Sequence, residues 1–154
     1  MSRSALEHSA VHLLHRAGQC AGDIFGDEMS KQGLTPRQYA VLVSVSENEG
    51  VSQTTLVERT GIDRSTLADI VRRMIKKGLL ERRRTREDAR AYAVRLSQEG
   101  RQKLALATPL AARADDRLLG SISGEDRQRF IEMLSAIVRS LGVSSISPPA
   151  RAAE

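Results

Sequence analysis

Twelve Lys and Arg side chains crowd positions 51–96: Arg59, Arg64, Arg72, Arg73, Lys76, Lys77, Arg82, Arg83, Arg84, Arg86, Arg90 and Arg95. Six acids, Glu58, Asp63, Asp69, Glu81, Glu87 and Asp88, oppose them, so the segment carries a net +6. The whole chain carries +5, which leaves −1 for everything outside the segment. Guanidinium and ammonium groups at this density bind polyanions, and a pI near 10.0 agrees. Charge by itself does not separate DNA from RNA or a membrane surface. No other chemistry competes: there is no phosphate-cradling Gly loop, no GxSxG, no HExxH and no Cys/His pair at a recognisable spacing. An enzyme is therefore not expected, nor is a cofactor or a resident metal. The single cysteine, Cys20, excludes an internal disulfide framework.

The elements that must position these cations are legible from caps and periodicity. Ser52 caps a short helix over 53–59, with Leu56 and Val57 inward. Thr60-Gly61-Ile62 is a tight turn, and Asp63 caps a second helix over 64–77. Two short helices joined by a Gly-containing turn form a helix-turn-helix. In the second helix Leu67, Ile70, Val71, Met74 and Ile75 follow the apolar period and face the core. The opposite face then presents Ser65, Ala68, Asp69, Arg72, Arg73 and Lys76, with Arg64 and Thr66 at the exposed first turn. Short polar residues followed by cations suit a helix entering a major groove, although an ordinary amphipathic surface helix also turns polar residues outward. Ser52, Gln53 and Thr54, at the start of the preceding helix, are candidates for the same interface.

Gly78 ends the second helix, and 79–83 and 91–96 read as strands, the latter alternating Tyr92, Val94 and Leu96 on one face. The polar loop 84–90 lies at the hairpin tip. Six arginines between positions 82 and 95 give that hairpin the form of a wing reaching a minor groove, with Arg83, Arg84, Arg86 and Arg90 as DNA candidates and Asp88 able to orient Arg90. A solvated charged face is the alternative.

On either side the chain is helical. Residues 4–31 repeat Leu6, Ala10, Leu13, Ala17 and Ile24 on one stripe, with His8, His12 and His15 on another. A helix this long cannot be covered by a small domain, so part of it is expected to pack on a second subunit. Cys20 falls near the apolar stripe and reads as a buried thiol. Thr35, Pro36 and Gln38 open a helix over 36–47 with a capping box. Helices follow over 98–119, where Pro109 should kink or split the run, and over 125–141, with Phe130, Leu134, Ile137, Val138 and Leu141 inward. The tail 142–154 is too poor in apolar residues to order itself. The fold expected is mainly α with a small β-hairpin: a winged helix-turn-helix lobe over 35–96 and a helical dimerisation region from 1–34 and 97–141. No run is long and apolar enough to span a membrane and no signal segment is visible, so a cytoplasmic location is expected.

LTPRQYAVL (34–42), GIDRSTLADIVRRMIKKGLLERR (61–83) and DARAYAVRLSQEG (88–100) together resemble the MarR family of bacterial transcription regulators, winged helix-turn-helix homodimers. The likeness covers about residues 6–141, and the last stretch carries an Asp-x-Arg wing signature followed by Leu-Ser where Leu-Thr is commoner. The resemblance implies that 64–77 is the recognition helix and that Arg90 is the minor-groove residue, oriented by Asp88. It also implies a double-stranded DNA operator as partner, a homodimer, and an effector cavity near the first and second helices and the start of the fifth. HLLHRAGQ (12–19) is similar to a subgroup controlling degradation of aromatic acids, some members answering to aryl-CoA thioesters such as p-coumaroyl-CoA. His12, His15, Arg16, Arg37 and Tyr39 are then the effector candidates; Arg16, Lys31 and Arg37 suit a carboxylate or phosphates, and Arg37 equally suits the DNA backbone. Oxidation of Cys20, or a metal held by His8, His12 and His15, are the alternative signals, and a non-specific nucleic-acid binder is the alternative function.

Overall fold

The computed structural model describes residues 4–84 and 92–142. They fall into two units, one ending at Gly120 and one beginning at Ser121. The first opens with a 3-10 turn, Ala5–His8, then α1 (Ala10–Glu28) and α2 (Pro36–Glu47). β1 (Val51–Ser52), α3 (Gln53–Thr60), α4 (Arg64–Lys76), β2 (Leu80–Arg84), β3 (Tyr92–Leu96) and α5 (Gln98–Leu118) follow.

The sheet has three strands in the order β1-β3-β2, all antiparallel, rather than the two of a simple hairpin. Val51 pairs with Val94 and Leu80 with Leu96, which turns these four side chains into one core with Val41, Leu42 and Val45 of α2, Leu56 of α3 and Leu67, Val71 and Met74 of α4. β1 escapes a reading of periodicity because two residues cannot display one.

α1 departs from expectation at two points, its start and Cys20. The helix does not run unbroken from residue 4, because Ser9 is extended and its side chain accepts from the His12 amide, capping a new helix. No residue of α1 is buried, and Leu6, Val11, Leu13 and Leu14 stay exposed in the chain. Cys20 is exposed, so it is not the buried thiol its position near the apolar stripe suggested.

α1 is tied to α5 at its C-terminal end. Glu28, whose side chain is only 7% exposed, meets Arg117 at 2.9 Å and Arg113 at 3.2 Å, and Arg117 also meets Asp27 at 2.6 Å. A carboxylate this enclosed needs its cations, so these pairs fix the contact. α5 is a single helix and Pro109 does not split it. The carbonyl that Pro109 deprives of a partner belongs to Ala105 on the exposed side, where water can replace the missing bond. At its start α5 is fastened to the turn after α4: Ser97 Oγ donates to the Gly78 carbonyl at 2.5 Å, and the Ser97 amide donates to the Leu79 carbonyl at 3.1 Å.

The second unit is α6 (Gly124–Leu141), capped by Ser123. It has no buried residue; Ile137, Val138 and Leu141, expected inward, are exposed, and Ile131 and Met133 join them.

Candidate nucleic-acid interface

The α3–turn–α4 segment is built by three local devices. Ser52 accepts from the Thr55 amide at 3.1 Å and starts α3. Gly61, at φ 67°, takes the left-handed conformation that closes α3, a geometry a Cβ would oppose. Asp63 Oδ1 accepts from the Thr66 amide and from the Ser65 hydroxyl, both at 2.9 Å, and starts α4. Those hydrogen bonds from Thr66 and then Ser65, helped by the charge of Arg37, hold the Asp63 carboxyl down at about 2.

A folded-state value below the ordinary carboxylate range of about 4 means that the cap stabilises the fold above pH ~4 and loses that contribution as pH falls through about 2. Asp63→Ala should therefore lower the urea midpoint at pH 7, and the gap to wild type should narrow steadily between pH 4 and pH 2. A gap independent of pH would show that the charged cap is not what the substitution removes.

α4 separates its two sides as expected. Leu67, Val71 and Met74 are buried, Ile70 and Ile75 half-buried, while Arg64, Ser65, Arg72, Arg73 and Lys76 are exposed and Thr66, Ala68 and Asp69 half-exposed. Asp69 holds both neighbouring guanidiniums: Arg72 through Oδ1, and Arg73 Nε through Oδ2 at 2.9 Å.

The strand register sorts the arginines. Arg84 stands opposite Tyr92 and Arg82 opposite Val94, so Arg82, Arg84 and Tyr92 continue the face that Leu80, Val94 and Leu96 bury. Both guanidiniums lie over the Tyr92 ring, 5.1 and 5.9 Å from its centre. Arg83 is on the other face, with Glu81 and Arg95, which pair across the strands at 3.7 Å. A cleft of about 520 Å³ opens between Ser52, Gln53 and Thr54 of the α3 start, Ala68 and Arg72 of α4, and Arg82 and Tyr92 of the sheet. Cations on two walls and the polar residues Ser52, Gln53 and Thr54 on the third suit a phosphodiester. Arg82 and Tyr92 were not among the sequence candidates; the signal that marks them is their shared strand parity with Leu80 and Val94. Arg86, Asp88 and Arg90 lie outside the described residues.

The effector candidates lie on α1 and in the first turns of α2. His12 is half-buried and His15 and Arg16 exposed on α1; Arg37 is exposed at the start of α2, where its charge acts on Asp63; Tyr39 packs its ring on Phe25, with centres 5.7 Å apart. None lines the cavity of about 210 Å³ between the α1–α2 turn, the end of α4 and the start of α5. Its walls are Leu34, Gln38, Met74, Lys77, Leu79 and Lys103, with Gln32 and Gly33. Lys103 Nζ donates to the Gln32 carbonyl at 3.0 Å, and neither lysine has a carboxylate partner among the described residues. No cluster of three or more His, Cys, Asp or Glu side chains placed to hold a metal occurs among the described residues, and none of the described helices is long and apolar enough to cross a membrane.

Residues 32–91 match the MarR family. The transcriptional regulator HosA of Escherichia coli O111:H- is 32% identical over 130 residues, covering 84% of this chain and 95% of that protein. The transcriptional repressor CouR bound to a 23-mer DNA duplex superposes with a TM-score of 0.83 at 29% identity, over 89% of this chain and 97% of the other. CouR from Rhodococcus jostii RHA1 bound to p-coumaroyl-CoA gives 0.78 at 26% identity, over 88% and 95%.

Proposed function

The chain belongs to the MarR family of winged helix-turn-helix transcription regulators, and from that premise we propose that it is a homodimeric repressor released from its operator by a small aromatic acid. The observation that carries the reading is the exposed side of α4, which presents Ser65, Arg72, Arg73 and Lys76 and sets Arg72 beside Arg82 in the cleft. α4 enters a major groove, the cleft seats the adjoining backbone, and the wing residues Arg86 and Arg90, with Asp88, reach the minor groove. The uncovered apolar residues of α1 and α6 support residues 1–34 and 97–141 as the dimer region. Two α4 helices then read half-sites about 10 bp apart.

The cavity beside Lys77 and Lys103 supports the effector class. Apolar Leu34, Met74 and Leu79 suit a ring and the ammonium groups suit a carboxylate. At about 210 Å³ it is below the range of sites for larger ligands, which favours a one-ring acid over a CoA thioester. An occupant touches the end of α4 and the start of α5 together, so it acts on the recognition helix only through different affinities for the bound and released arrangements.

The test is a salt titration of a duplex selected by the protein from a random pool, against a scrambled duplex, with sedimentation to count subunits. Tighter binding to the selected duplex, relieved by benzoate or p-coumarate, is expected. Equal affinities that fall alike with salt would leave a non-specific binder. Relief by p-coumaroyl-CoA alone would reassign the effector, and relief by peroxide that disappears in Cys20→Ser would make the thiol the sensor.

A further inference from the structure

α4 spends one of its outward positions on an acid, at the centre of the face offered to a polyanion. Asp69 carries Arg72 at i+3 and Arg73 at i+4, one guanidinium on each carboxylate oxygen. Both arginine side chains are 71% exposed, so neither needs a partner to be tolerated where it stands, and Asp69 itself is 37% exposed. The pairs are not required by burial. Their effect is electrostatic: two guanidiniums that would present +2 to the groove present +1 with Asp69 between them.

We propose that Asp69 is a specificity-determining residue that withholds Arg72 and Arg73 from phosphates of non-cognate DNA and releases them on a matching site. The proposal rests on α4 being the helix that enters the groove. Exposed pairs at i+3 and i+4 are weak, so a base edge can displace them. On a matching site Arg72 exchanges Asp69 for the O6 and N7 acceptors of a guanine, and the freed carboxylate accepts from a cytosine N4 amine. On other sequences the carboxylate meets acceptors or phosphates, and the arginines return to it. Discrimination then arises from a repulsive group placed among attractive ones, the form that specificity takes when affinity alone is indiscriminate.

Asp69→Asn keeps the shape and removes the charge. One more net positive charge at the interface steepens the salt dependence by about 0.9 in log–log slope, which corresponds to roughly 8-fold tighter binding at 0.1 M salt. That gain is expected on the scrambled duplex. The selected duplex is expected to gain less or to lose, so the ratio between them falls. The gain should shrink when Asp69→Asn is made in a chain already carrying Arg72→Ala and Arg73→Ala, because only the direct repulsion between the acid and the phosphates is then left to relieve. Circular dichroism and urea unfolding of each variant confirm that folded chains are compared. Unchanged or weaker binding to scrambled DNA overturns the proposal, and so does a gain of undiminished size without the two arginines. If the wild type shows no preference between the duplexes, the reading of a sequence-specific regulator fails separately; the scrambled-duplex arm still reports whether Asp69 restrains the arginines.

Discussion

Gly100→Ala is expected to destabilise the protein by about 3 kcal/mol, at the upper end of what overpacking a formed core costs. A Cβ at position 100 would stand 2.0 Å from the Leu79 carbonyl oxygen and 3.0 Å from its carbon. Neither side can yield cheaply. The Leu79 carbonyl is engaged by the Ser97 amide, and the Gly100 amide donates to Ser97 Oγ at 2.9 Å, so glycine and carbonyl belong to one hydrogen-bonded turn. Urea unfolding at neutral pH measures the loss. Wild-type stability would mean that the first turn of α5 does not rest on the end of α4.

Leu67→Ala should cost about 2–5 kcal/mol, the range for deleting a fully enclosed leucine. Leu67 has no exposed surface and, with Val71 and Met74, is what holds α4 to the sheet and to α2. DNA affinity should fall by more than the unfolded fraction explains, because the cavity loosens the helix that carries Ser65, Arg72 and Arg73. Ile75→Ala, at a half-buried position, serves as the comparison and should cost less. Equal losses at the two positions would contradict the burial pattern.

The helix-turn-helix was legible because its signals are local. Ser52, Gly61 and Asp63 each act within four residues of themselves, and the apolar stripe of α4 is long enough to have a period. What remained hidden depends on residues meeting across the chain. β1 is a strand only because Val94 and Ala93 lie beside it. Strand parity puts Arg82 on the side of Leu80 and Arg83 on the other, but only the pairing with β3 shows that the cleft and the Tyr92 ring lie on Arg82's side. The walls of the small cavity come from three separate stretches of chain, so neither Lys77 nor Lys103 announces itself. His12, His15, Arg16, Arg37 and Tyr39 followed from a likeness of sequence in the first two helices, and none of them lines that cavity. In α1 and α6 periodicity identified the apolar faces but said nothing about what covers them.

The fastening of Ser97 and Gly100 to the turn after α4 has a mechanical consequence. The Ser97 hydroxyl and the close approach of Gly100 to Leu79 hold the first turn of α5 against the turn after α4, so a displacement of one is passed to the other. α5 has 21 residues, an arm of about 30 Å, so tilting it by about 10° carries one end roughly 5 Å relative to the other. In the proposed dimer, beside a half-site spacing of about 34 Å, such a displacement is enough to put the two α4 helices out of phase with successive grooves while each keeps its internal structure. A ligand wedged at the pivot, next to Lys77 and Lys103, would need to move its surroundings by only a fraction of that distance, because the arm multiplies it.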